Sequence, residues 1–166
     1  MIRRRRRTED DAPRRSAYDR ALEMLARREH SQRELRTRLD RSGYDETDAD
    51  AALVRLHDQN YQSDERFAEM LLRNRIAQGY GPRRIRAELA THGMPAATVQ
   101  RLLAAAAVDW LALATAQLRR QFGASGSRIA AERARRAQYL LRRGFDASTV
   151  RSATHAELDE ATDDAD

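Results

Sequence analysis

Apolar residues recur three and four positions apart along the chain, the spacing of one face of a helix. Tyr18, Ala21, Leu22 and Leu25 form the first such face. Ser31-Gln-Arg-Glu34 follows, the pattern of a capping box, in which the serine oxygen and the glutamate carboxylate each take a free N–H. The helix it opens carries Leu35 and Leu39 and is expected to stop at Gly43, which tolerates the left-handed conformation of a helix end. A third helix carries Ala49, Ala52, Leu53 and Leu56.

The pattern then repeats. A shift of fifty places Ala21-Leu22 on Leu71-Leu72, Ser31 on Gly81, and Leu35, Leu39 and Gly43 on Ile85, Leu89 and Gly93. It also places Ala49 and Leu53 on Val99 and Leu103, with Pro82 and Pro95 where a first helical turn accepts proline. A further shift of about fifty-one places Leu89, Gly93, Met94 and Val99 on Leu140, Gly144, Phe145 and Val150. Trp110, Ala114, Leu118 and Phe122 supply the preceding helix, and Asp146 is a candidate N-cap for the last one. The expected fold is all-α: three tandem three-helix repeats in an elongated, curved array, since units this small gain by stacking on their neighbours. The boundaries expected are 16–62, 63–107 and 108–155, with a basic disordered arm at 1–15 and an acidic disordered tail at 156–166. Gly123 to Ser127 reads as a looser connection.

Composition narrows the chemistry. The chain has 166 residues and no cysteine, so it has no disulfide, thiolate metal site or thiol nucleophile. All 31 basic residues are arginine, which excludes a Schiff-base or phosphate-loop lysine. No apolar run reaches the ~20 residues of a membrane span, so a cytoplasmic protein is expected. His30, His57, His92 and His155 are never three or four apart and read as capping or solvated residues. Glu34 is explained by its cap, and Glu88 is expected to pair with Arg84 one turn back. Gly79-Tyr80-Gly81-Pro82 follows a helix and lacks phosphate-loop spacing, so it reads as a helix–helix turn. These features describe a protein that binds and does not catalyse, with no cofactor and no metal.

Charge supplies the positive signal. The arm at 3–15 has seven arginines against three acids, and the tail carries six acids. The body from Ser16 to His155 holds 24 arginines and 17 acids. Arginines cluster at Arg73, Arg75, Arg83, Arg84 and Arg86, and again at Arg119, Arg120, Arg133, Arg135, Arg136, Arg142 and Arg143. A guanidinium fork suits phosphate or carboxylate, so these twelve are the candidate contacts for an anionic partner. Aromatic residues are too few for a base-stacking platform.

Ser31-x-x-Glu34-Leu35-x-x-x-Leu39-x-x-x-Gly43-Tyr44, then Asp64-x-x-Phe67-Ala68, occur in this order. Arg75-x-x-x-Gly79-Tyr80-Gly81-Pro82-x-x-Ile85-x-x-Glu88-Leu89-x-x-x-Gly93 and Leu140-x-x-Arg143-Gly144-Phe145 complete the set. Together, over roughly Tyr18 to Thr154, they resemble the bacterial RecX regulatory proteins. The resemblance implies three three-helix repeats and a monomer that binds the RecA recombinase filament in its groove. It also implies inhibition of ATP hydrolysis, strand exchange and filament growth in DNA recombination and repair, with a weak DNA contact. The competing expectation is a stand-alone, non-specific DNA-binding protein, because each unit loosely resembles a helix-turn-helix.

Overall fold

A computed structural model of the chain describes residues 15–123 and 129–163, with side-chain surroundings through residue 155. The arm before Arg15, the expected loose connection after Gly123, and Arg128 lie outside the described residues. Among the described residues there are nine helices and no strand. They are α1 (Ala17–Leu25), α2 (Gln32–Arg41), α3 (Glu46–Asp58), α4 (Asp64–Ala77), α5 (Pro82–Thr91), α6 (Ala96–Ala105), α7 (Trp110–Phe122), α8 (Ala130–Arg142) and α9 (Ala147–Asp163). Helix α9 therefore enters the acidic segment that the sequence pattern assigns to a disordered tail.

Local chemistry sets the helix ends. Ser16 and Ser31 accept from the N–H groups of Asp19 and Glu34, both at 3.1 Å, and Asp109 accepts from Ala112 at 2.9 Å. Each cap satisfies one donor that the first helical turn leaves free. The second helix of every repeat ends the same way. Gly43, Gly93 and Gly144 have φ of 77°, 82° and 86°. The next residue then donates back to the last core leucine: Tyr44 to Leu39, Met94 to Leu89 and Phe145 to Leu140, each at 3.2 Å. This six-to-one bond is the signature of a Schellman end, and it confirms the repeat at the level of the backbone.

The chain divides into two compact units, one ending at Asp64 and one beginning at Glu65. In the first, Ala21, Leu35, Leu39, Leu53 and Leu56 are fully buried between α1, α2 and α3. The second holds the other two repeats. Phe67, Ala68, Ile85 and Leu89 centre one core, and Ala114, Leu118, Leu140 and Phe145 centre the next. Trp110 packs against both of these cores. Nearly every position predicted from periodicity as core is buried or packed on a buried cluster, because a single helical period governs all three repeats.

Candidate anion-binding surface

Charge is divided unevenly between the two units. Arg15 to Asp64 contains nine arginines and eleven acids, whereas Glu65 to His155 contains sixteen arginines and six acids. From Arg15 to Asp64, five of the nine arginines pair with an acid. Glu23 meets Arg15 and Arg20 at 2.5 and 3.0 Å, Glu34 meets Arg28 and Arg38 at 2.6 and 3.0 Å, and Asp50 meets Arg36 at 2.5 Å. Between Glu65 and His155 six acids cannot serve sixteen arginines. Arg83, Arg84, Arg86, Arg120, Arg133, Arg135 and Arg142 form no ion pair with a described acid.

The twelve candidate arginines separate by environment. Arg73, Arg83, Arg84, Arg86, Arg119, Arg120, Arg135 and Arg142 are exposed, and Arg133 is half-buried. The other three have work inside the fold. Arg75 grips Glu88 with a two-pronged contact, Nε to Oε2 at 2.7 Å and Nη2 to Oε1 at 2.5 Å. Its hydrogen bonds, opposed by burial, hold the Glu88 carboxyl below the ordinary range. The expected Glu88–Arg84 pair is thus replaced by one across two helices, where the guanidinium fork can meet both oxygens. Arg136 is only 3% exposed, lying 5.2 Å from the Phe122 ring centroid and 3.9 Å from Glu132. Arg143 donates to the Tyr139 hydroxyl at 2.7 Å and to the Gln78 carbonyl at 3.2 Å.

The turn between α8 and α9 meets the start of α5. Gly81 and Arg83 donate their N–H groups to the carbonyls of Arg143 and Gly144, at 2.8 and 2.9 Å. Free donors at one helix start are satisfied by free acceptors at another helix end, and the partial charges of the two ends attract. The approach requires glycine. A Cβ on Gly81 would lie 2.4 Å from the Gly144 backbone, and one on Gly144 would lie 2.5 Å from the Arg84 backbone nitrogen. Tyr80 sits at this junction with Arg84 and Arg143 guanidiniums 4.4 and 5.0 Å from its ring centroid. Such cation–π contacts hold a guanidinium without neutralising it. A shallow depression alongside is lined by Arg75, Gln78, Tyr80, Arg84 and Glu88.

Helix α5 also breaks a local rule. Its first turn carries Arg83 and Arg84 and no acid, although cations at a helix start are disfavoured by up to about 1 kcal/mol. By contrast, α2 and α3 start with Glu34 and with Glu46 and Asp48. An element that keeps an unfavourable charge arrangement is a candidate for a functional one.

The first unit contains a buried polar cluster that sequence reading underestimates. His30, expected to be capping or solvated, is 4% exposed, with Nδ1 at 3.0 Å from the Glu34 carboxylate. Burial pushes its proton affinity down, against the opposing pull of Glu34. Burial alone would raise Glu34, but the Arg28 hydrogen bond and the charges around it bring its pKa to about 2. A neutral His30 lends no charge to that shift, so Arg28 and Arg38 carry it. Asp64 closes the cluster, accepting from the Gln32 N–H and the Gln62 amide, both at 2.8 Å. Among the described residues, no group of three or more His, Asp or Glu is arranged to hold a metal ion. No single described helix is long and apolar enough to cross a membrane.

Known proteins place this architecture. Family models described as the first, second and third three-helix domains of RecX match residues 17–56, 63–103 and 107–154. The regulatory protein RecX of Xanthomonas axonopodis pv. citri (strain 306) is 43% identical over 141 residues, covering 85% of this chain and 87% of that protein. The regulatory protein RecX of Stenotrophomonas maltophilia (strain K279a) is 40% identical over 157 residues, 95% and 94% of the two chains. The crystal structure of RecX from Lactobacillus salivarius superposes with a TM-score of 0.69 at 18% identity, covering 85% of this chain and 94% of its own. That structure supports the fold, while the ordered domain matches and the sequence identity carry the assignment: the chain belongs to the RecX family of regulatory proteins.

Proposed function

We propose that this chain binds the RecA–DNA filament and inhibits it, slowing ATP hydrolysis, strand exchange and filament extension, and so regulates recombination and DNA repair. Membership of a regulatory family carries the reading. The concentration of exposed arginines without acid partners in the second unit supports it, because a nucleoprotein filament is strongly anionic. The binding set is the exposed group Arg73, Arg83, Arg84, Arg86, Arg119, Arg120, Arg135 and Arg142, with half-buried Arg133 at its margin. Arg75, Arg136 and Arg143 support that surface from within. Several contacts spread over tandem repeats give avidity even where each is weak.

A stand-alone DNA-binding protein is the competing reading. A helix-turn-helix reader needs basic residues on its last helix. Here the exposed clusters lie on first and second helices of the repeats, and Arg101 of α6 is paired with Glu65 at 2.6 Å. The deciding assay is RecA ATP hydrolysis on single-stranded DNA, with this protein added after filaments form. A fall at substoichiometric protein is expected. No change, together with salt-sensitive binding to naked DNA, transfers the assignment to the competing reading.

A further inference from the structure

We infer that the contact between Gly81 and Gly144 turns the basic faces of the second and third repeats into one composite binding site, with Tyr80 as its positioning residue. The inference rests on the filament-binding reading and specifies how the surface is assembled. Arg83 and Arg84 belong to α5, and Arg142 and Arg143 to the end of α8. Nothing in their spacing along the chain brings them together. The backbone does so, through the 2.8 and 2.9 Å hydrogen bonds from Gly81 and Arg83 to the Arg143 and Gly144 carbonyls. Tyr80 then holds the guanidiniums of Arg84 and Arg143, and exposed Arg83 and Arg142 are the chain neighbours of those two. Fixing cations in advance removes the ordering cost that flexible arginine side chains otherwise impose on binding. Two half-sites on one rigid body also act as a single ligand-binding unit, whereas uncoupled halves lose that effective concentration.

Two glycines permit a clean test. Gly81 has an ordinary negative φ of −82°, so alanine fits its own backbone and conflicts across the junction with the backbone of Gly144 and Phe145. Gly93 is the converse, with φ +82° and nothing within 4 Å of a Cβ, so alanine there strains its own backbone and touches no junction. The experiment measures binding of the full chain to preformed RecA filaments, and hydrogen exchange at the Arg83 amide, well below the melting temperature. Gly81→Ala is expected to speed exchange at Arg83 and weaken filament binding by about tenfold or more. Gly93→Ala is expected to lower the melting temperature and bind as the parent does. If Gly81→Ala unfolds, Tyr80→Leu replaces it, removing the ring between the guanidiniums while leaving both glycines. Parent-like binding by the variant overturns the composite site and leaves filament binding standing. Failure of the parent protein itself to bind filaments overturns the functional reading, and the composite site falls with it.

Discussion

Glu34 shows how one side chain gathers several jobs. Its N–H is capped by Ser31, while its carboxylate receives Arg28 and Arg38 and lies beside buried His30. The pKa of about 2, against an ordinary 4.5, means its contribution to stability is present at neutral pH and lost as pH falls through that interval. His30 has its proton affinity lowered by burial, so the unfolded chain binds that proton more readily and stability declines as pH drops below 6.5. Thermal melting between pH 7 and pH 5 is therefore expected to show a slope that His30→Gln flattens. An unchanged slope would mean that His30 is not buried in its neutral form. Ala107 is a second residue-scale test. Its φ of 46° is a conformation that alanine enters at a cost, so Ala107→Gly is expected to raise stability by about 0.5–1 kcal/mol in denaturant unfolding.

At the scale of the element, the second helix of each repeat is defined by its end. The left-handed glycine and the bond back to the core leucine recur at Gly43, Gly93 and Gly144. Valine at Gly93 is expected to lower stability by roughly 1–2 kcal/mol, and unchanged melting would contradict this helix boundary. Such ends were legible in the sequence because a glycine after a helical apolar run has one common structural meaning. Core positions were legible for a related reason, since burial of one helix face forces a period that the residues display. Pairings between helices were not. Arg84 is the near neighbour of Glu88 in sequence, yet Arg75 takes the carboxylate from another helix. The Gly-Tyr-Gly-Pro segment was correctly legible as a turn, but its role as a seat for residues sixty positions away has no local signature. A glycine at ordinary φ, such as Gly81, was the available clue, because it marks close approach where backbone freedom is not required.

For the whole molecule, charge distribution matters more than net charge. The total of +5 combines a slightly acidic stretch from Arg15 to Asp64 and a strongly basic one from Glu65 to His155 with a basic arm before the first and an acidic tail after the second. Charge reversal of Arg83, Arg84 and Arg142 to glutamate is expected to abolish inhibition of RecA ATP hydrolysis while leaving the circular dichroism spectrum unchanged, since all three are exposed and unpaired with described acids. The matching reversal of Arg27, Arg33 and Arg41 in the first unit is expected to leave most of the inhibition intact. Equal losses from both sets would assign binding to overall charge and not to the second unit. Salt should weaken parent binding more steeply than that of the second-unit variant.

The basic surface is made without a single lysine, and this fixes how its charge can be controlled. A guanidinium keeps its proton at any physiological pH, and lysine acetylation has no target anywhere along the chain. The charge of the surface is therefore insensitive to physiological pH and to lysine acetylation, while ionic strength still screens what it attracts.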